Sequence, residues 1–238
     1  MKKHIPNIIT LMNLFCGCIA IDFAFANRLD YTAYFVFLAA VFDFFDGFAA
    51  RMLKVHSELG KQLDSLADVV TFGVVPGVVL SNLMSQSIFS HPHGDGNWML
   101  TIFIYAPYLV TLFSALRLGM FNLDTRQSDS FIGVPTPAST LFIVSLPLIL
   151  LHDDFKLSGI ILNTYFLLGL SLIMSYLLVA ELPLIALKFK NFTWKDNALR
   201  FTLIGASVLL FSIFFYVAIP LIIVLYIILS LVNNLKTT

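Results

Sequence analysis

The sequence predicts an all-α fold, a polytopic bundle of about eight transmembrane helices with both termini in the cytosol. Three observations carry this expectation. The 238 residues are 59% hydrophobic and only 12% charged, whereas soluble domains carry about 25% charged residues. Several apolar runs reach the ~20 residues needed to cross a hydrocarbon core. The lysines and arginines also fall almost entirely on one side of the spans that result.

Taken in order, Met1-Lys2-Lys3-His4 resembles the basic start of a secretory signal. No small-residue cleavage site precedes Asn27, so Ile5 to Ala26 is expected as a retained first span. The second span is expected from Tyr31 to about Arg51, and the third from about Gly60 to Met84. A polar stretch, His91 to Asn97, leads to the fourth, Trp98 to about Met120. After a loop from Phe121 to Val134, the fifth runs from Pro135 to Leu151 and the sixth from Leu157 to Leu187. The apolar stretch Phe201 to Val232 is too long for one span, and Pro220 near its middle predicts a hairpin. The result is one membrane domain, with a six-span core over 1–187 and a further helical pair over 200–235.

Charge tests this topology. With the N-terminus in the cytosol, Lys2, Lys3, Arg51, Lys54, Lys61, Arg117, Arg126, Lys188, Lys190, Lys195, Arg200 and Lys236 all lie on the cytosolic side. Only Arg28 and Lys156 lie outside, a strong positive-inside bias. Merging the last two spans moves Lys236 alone, so charge does not choose between seven and eight. A formal net charge of zero gives no electrostatic case for nucleic acid. Cys16 and Cys18 lie in an apolar run and read as small packing residues.

Four aspartates break the apolar pattern. Asp43 and Asp46 are i, i+3 on the second span, and Asp64 and Asp68 are i, i+4 on the third, so each pair shares a helical face. Asp43 lies eight residues before Arg51, and Asp68 eight residues after Gly60. At ~1.5 Å per residue both stand about 12 Å from the cytosolic loop. An ionised carboxylate inside a bilayer costs several kcal/mol unless it is neutralised. Local cations are too few for an acid–base network to do this, and one or two hard divalent cations such as Mg²⁺ or Mn²⁺ would. Gly47, Ala50 and Gly60 clear space for a ligand near the backbone, and Arg51 offers a fork for phosphate. Intramembrane acids also occur in divalent-cation transporters, but there they are expected along a path rather than gathered at one side.

The pattern D-x2-D-G-x2-A-R-x8-G-x3-D-x3-D, from Asp43 to Asp68, is complete. It resembles the motif of the CDP-alcohol phosphotransferases, membrane enzymes that move a phosphoalcohol or phosphatidyl group from a CDP-linked donor to a hydroxyl. Ile5-Pro6-Asn7-Ile8-Ile9-Thr10 is similar to that family's first-helix entry. Three further segments, Leu66 to Pro76, Ala115 to Asn122 and Phe131 to Ala138, resemble the bacterial branch that uses L-serine as acceptor. Thr71 departs mildly from it, standing where many such enzymes have Ser.

The resemblance implies CDP-diacylglycerol and L-serine as substrates, membrane lipids as surroundings and a homodimer in the cytoplasmic (inner) membrane with its site facing the cytosol. It implies Asp43, Asp46, Asp64 and Asp68 as ligands of two divalent ions, with Asp68 also the general base. It also implies Asp46, Gly47, Ala50, Arg51 and Gly60 around the CDP moiety, with Asn7 and Thr10 as further candidates. Arg117, Asn122 and Arg126 are candidates for the acceptor or a phosphate. Glycerol 3-phosphate or inositol phosphate remain alternative acceptors. His91, His93 and Asp95 read as an external polar loop, Glu181 as a polar residue of the sixth span, and Trp98 and Trp194 as interfacial anchors.

Overall fold

The computed structural model describes residues 4–55, 57–89, 98–124, 130–185 and 193–237, almost entirely as helices. The first two, α1 (Ile5–Phe25) and α2 (Leu29–Leu53), form a hairpin around a tight turn with Asn27 in the left-handed region. Small residues make the pair close: Cys16, Ala20 and Ala24 of α1 and Ala33 and Ala39 of α2 are all buried. Such residues let membrane helices approach backbone to backbone. Thr32 Oγ1 donates across the pair to the Ala20 carbonyl at 3.1 Å.

The next connection is also short. Lys54 closes α2 in the left-handed conformation, with Val55 N–H bonded to the Ala50 carbonyl at 3.0 Å. Ser57 then caps α3 (Glu58–Val69) by accepting from Gly60 N–H at 3.2 Å. α3 continues through a π-helical turn, Val70–Val74, into α4 (Val75–Phe89). Val75, Val79, Leu80, Leu83 and Met84 of α4 are fully enclosed. A helix that is apolar all round belongs at the centre of a bundle, and α4 is that shaft.

The fourth span is not one helix. α5 (Trp98–Phe103) and α6 (Tyr108–Leu123) are separated by turns, with Pro107 at the cap position of α6. Proline has no N–H to return to the carbonyl four residues back, so the helix breaks there. α7 (Thr136–His152), the short α8 (Ser158–Ile161) and α9 (Thr164–Val179) follow. The expectation that the sixth span reaches Leu187 is corrected. Ala180 turns extended, and β2 (Pro183–Ile185) pairs antiparallel with β1 (Ser130–Ile132), Ser130 facing Ile185. Glu181 therefore lies outside the helix, between α9 and β2. Gly133 makes this junction possible: its φ is +76°, and a Cβ there would lie 2.6 Å from the Leu178 carbonyl oxygen.

The final apolar stretch forms α10 (Trp194–Phe214) and α11 (Ala218–Thr237) around a reversal at Phe215–Val217. The Phe214 ring lies tilted 5.7 Å from that of Phe155, and the Tyr216 ring tilted 5.0 Å from that of His152. At the other end of α11 the Asn234 amide donates to the Pro183 carbonyl. The chain thus reverses between α10 and α11. The break precedes Pro220, which sits in the first turn of α11 where no N–H is needed. Among the described residues, five helical runs are long and apolar enough to cross a membrane: Ile5–Phe25, Leu29–Leu53, Glu58–Phe89, Thr101–Leu123 and Asn197–Asn234. α7 and α9 are shorter apolar helices. The chain is a multi-pass membrane helix bundle.

Gly133→Ala is expected to cost about 1–3 kcal/mol and lower the thermal unfolding midpoint in detergent. Gly119→Ala, at a helical position with nothing within 4 Å, is the control and leaves the midpoint unchanged or slightly raised. Equal behaviour of the two variants contradicts this account of the junction.

Candidate active site

The short α2–α3 connection brings the two aspartate pairs face to face. One ligand oxygen each from Asp43, Asp64 and Asp68 lies within 4.8 Å of the others. These three form the tight triad. Asp46, 6% exposed, stands beside it and is held by Thr10, whose Oγ1 donates to Asp46 Oδ2 at 2.6 Å. Its charge still acts on Asp43 and Asp64. Asp68, 8% exposed, accepts from Asn13 Nδ2 at 3.2 Å. α1 thus contributes a partner to each pair, Thr10 for α2 and Asn13 for α3. The first-helix role of Asn13 carries no signal in the sequence beyond its spacing of three from Thr10.

An oxygen-only donor set of three converging carboxylates suits a hard divalent cation such as Mg²⁺ or Mn²⁺. The acids gather at one place among α1, α2 and α3, not along a path through the bundle. Beside them a cavity of about 320 Å³ opens between the starts of α1 and α3 and the end of α2. Asn7, Thr10, Asp46, Gly47, Ala50 and Gly60 line it, six of the seven residues expected around the CDP moiety, together with Asp64 of the triad; Arg51, the seventh, is not in its lining. Pro6, Val55, Ser57 and Lys61 line it as well. Lys61 is a cation that the motif does not mark; its Nζ donates to the Asn122 carbonyl at 3.1 Å. Arg51 is exposed, and a Cβ on Gly47 would be 3.5 Å from its guanidinium, so Arg51 lies over Gly47 at the cavity edge. At Gly60 a Cβ would come within 3.0 Å of Asn7 Oδ1. A side chain at Gly60 would therefore press on the cavity wall.

The π-helical turn directly follows Asp68. Pro76 has no N–H to offer the Phe72 carbonyl, which accepts from Thr140 Oγ1 at 2.9 Å instead. Thr111 Oγ1 donates to the Gly73 carbonyl at 2.9 Å, and Thr71 Oγ1 to the Asn13 carbonyl at 3.3 Å. Gly17 faces Thr71 so closely that a Cβ would overlap its hydroxyl. Thr71 therefore fits α1 against the turn. Such turns are frequent at functional sites, and here hydroxyls from α6 and α7 satisfy the carbonyls it releases.

The candidate acceptor residues divide. Arg117, 7% exposed, is on α6, and its Nε finds no hydrogen-bond partner. Asp68 acts on it electrostatically. Asn122 is committed to the scaffold: its Nδ2 donates to Ser65 Oγ at 2.7 Å, tying α6 to α3. Arg126, like His91, His93 and Asp95, lies outside the described residues. Trp194 is exposed and stacks on Phe201 at 5.3 Å.

The family model for CDP-alcohol phosphatidyltransferases matches residues 3–177. The chain belongs to that family. Several relatives carry the name CDP-diacylglycerol–serine O-phosphatidyltransferase. The one from Bacillus subtilis (strain 168) is 34% identical over 144 residues, 60% of this chain and 75% of the relative. Those from Helicobacter pylori (strain J99) and Methanocaldococcus jannaschii are 33% and 31% identical over 141 and 140 residues. The matches cover 58% and 59% of this chain, and only 55% and 58% of those two relatives.

Asp64→Asn is expected to weaken Mn²⁺ binding at least about tenfold, as carboxylate count sets affinity in such sites. Electron paramagnetic resonance of free Mn²⁺ over a titration measures it. An unchanged affinity would place the ion elsewhere.

Proposed function

We propose that the protein transfers the phosphatidyl group of CDP-diacylglycerol to the hydroxyl of L-serine, giving phosphatidylserine and CMP. The observation that carries this reading is the carboxylate triad standing beside a cavity lined by the motif residues. The names of the relatives support serine as the acceptor.

In the reaction the serine oxygen forms a bond to the β-phosphorus of the donor. The bond from that phosphorus to the oxygen of CMP breaks, and the hydroxyl proton passes to Asp68. Asn13 holds Asp68 by one oxygen and so fixes the direction in which the base faces. A serine hydroxyl is a weak nucleophile, which is why a base is needed. Divalent cations, Mg²⁺ or Mn²⁺ and two in number by the family motif, would be held by Asp43, Asp64 and Asp68 with Asp46 adjacent, and would neutralise the diphosphate and the departing CMP. The cavity between α1, α2 and α3 would take the CDP moiety. Gly47, Ala50 and Gly60 leave it room, Asn7 and Thr10 offer polar contacts, and Lys61 and Arg51 place positive charge at its edge. The acyl chains would stay in the bilayer. The lysine and arginine distribution supports a site facing the cytosol from the cytoplasmic membrane.

Purified protein given CDP-diacylglycerol, Mn²⁺ and L-serine is expected to form CMP and phosphatidylserine in equal amounts. Release of CMP with glycerol 3-phosphate or inositol phosphate instead of serine would reassign the acceptor. No release with any acceptor would sink the reading. Asp68→Asn is expected to lower kcat by about 10²–10⁴-fold, measured at saturating Mn²⁺ and CDP-diacylglycerol. A near-normal rate in that variant would show that another group takes the proton.

A further inference from the structure

A second cavity, of about 460 Å³, lies at the other end of the bundle from the carboxylate triad. Asn27, Arg28 and Asp30, where α1 turns into α2, line it with Gln86 of α4 and Leu150 and Leu151 of α7. The candidate active site opens instead at the start of α1 and the end of α2. α1 has 21 residues, which at ~1.5 Å each is about 31 Å, close to the ~30 Å of a hydrocarbon core. The two cavities therefore stand at opposite membrane surfaces.

Aromatic rings mark that second surface. Phe23 stacks on Tyr31 at 5.1 Å, and Tyr34 meets Tyr31 edge-on at 6.1 Å. Tyr31 and Tyr34 are exposed. Exposed tyrosines gather at the level of lipid headgroups. Leu151 is exposed as well, so the wall formed by α7 runs on as apolar surface from the polar end of the cavity. A polar end with an apolar continuation at this depth suits a phospholipid better than a soluble ligand.

Arg28 is held ready for an anion. Its Nε and Nη2 donate to the two oxygens of Asp30, both at 3.3 Å, and its guanidinium lies 4.4 Å from the centre of the Tyr31 ring. Fork and ring together fix a side chain that is 54% exposed and would otherwise sample many rotamers. An exposed pair of this kind adds little stability by itself. A guanidinium has five N–H groups, and Asp30 takes two, so Nη1 remains for a phosphate. The Asp30 carboxylate keeps accepting capacity beyond those two bonds. Gln86 Nε2 donates to Asn27 Oδ1 at 3.1 Å, which ties α4 to the turn and sets both amides at the same end of the cavity.

We propose that this cavity binds the headgroup of a zwitterionic phospholipid with a primary ammonium, in the leaflet opposite the candidate active site. Arg28 Nη1 and the Asn27 amide hold the phosphate, and Asp30 and the Gln86 carbonyl hold the ammonium. Charge selects this class. Arg28 and Asp30 are the charged residues of the lining and balance each other, so a headgroup with no net charge keeps the cavity neutral. A lipid that brings a phosphate alone would face Asp30 with a like charge. A trimethylated ammonium balances Asp30 but has no N–H to donate to it. The bound lipid joins the α1–α2 turn to α4 and α7, and so braces the two helical rods that carry the aspartates further along. The inference is independent of the reaction that the triad performs.

The test is thermal unfolding of the purified protein in detergent with phosphatidylethanolamine, phosphatidylcholine or phosphatidylglycerol of the same acyl chains. Phosphatidylethanolamine is expected to raise the midpoint at least about 3 °C more than either of the others. Arg28→Gln should erase that difference. Asp30→Asn leaves Arg28 unbalanced and should move the preference to phosphatidylglycerol. Lys156, the other cation expected on that surface, is outside the cavity lining, and Lys156→Gln should keep the wild-type order. Glycerophosphoethanolamine, the head without acyl chains, should give no shift at the same concentration. Native mass spectrometry, counting the lipid retained, makes the comparison for any variant whose midpoint falls before lipid is added. Equal shifts from the three lipids, or the wild-type order surviving in Arg28→Gln or Asp30→Asn, overturn the proposal. An equal shift from glycerophosphoethanolamine overturns it as well and reassigns the cavity to a soluble ligand.

Discussion

The structure turns on the cost of holding several carboxylates inside a membrane bundle. Asp43, Asp64 and Asp68 converge within 4.8 Å, and like charges so close repel strongly where the dielectric is low. Such a cluster persists only if something positive shares it or protons neutralise it. For the phosphatidyl transfer proposed above, such a site would be negative by itself and balanced by metal, with the ion free to face the diphosphate of the donor. The surrounding architecture serves this need. The short turn with left-handed Lys54 and the Ser57 cap sets α2 and α3 in register. Small residues between α1 and α2 bring Thr10 near enough to hold Asp46, and close packing of α1 on the π turn sets Asn13 beside Asp68.

A second layer keeps the site rigid. Immediately beyond Asp68 the helix widens into a π turn, and carbonyls that a regular helix would satisfy internally are released. Thr140, Thr111 and α1 take part in satisfying or flanking that turn. A buried carbonyl without a donor costs free energy comparable to a lost hydrogen bond, so these hydroxyls are structural requirements, not incidental polar residues in apolar helices. The same region holds hydroxyls without partners, Ser114, Thr136 and Ser139, together with Arg117. The bundle is therefore apolar around α4 and polar around Asp68.

Much of this was legible in the sequence because its causes are local. Fixed spacings place Asp43 with Asp46 and Asp64 with Asp68 on common helix faces, and the glycines and Ala50 mark where space is needed. The all-α membrane fold follows from length and hydropathy. Features that depend on tertiary pairing were not legible. Nothing local says that Asp46 is taken by Thr10 while Asp64 joins the triad, or that Lys61 reaches the cavity. The sequence places the end of the sixth span at Leu187 because apolar residues continue to that point. The break comes from Ala180 and Pro183, and from an edge supplied by β1 fifty residues earlier in the chain. Pro220 signalled a reversal, but the chain turns just before it and spends the proline in a first helical turn. Asn122 read as a possible ligand group, whereas its amide is used to join α6 to α3.

The central claim is that the triad binds a divalent ion which contacts the donor's diphosphate in the cavity beside it. The most direct measurement is electron–nuclear double resonance of Mn²⁺ bound to the purified protein with CDP, observed at phosphorus. The account predicts a clear ³¹P coupling from directly coordinated phosphate, absent without CDP and lost in Asp43→Asn. Mn²⁺ bound with no phosphorus coupling, or coupling that survives in Asp43→Asn, would contradict it.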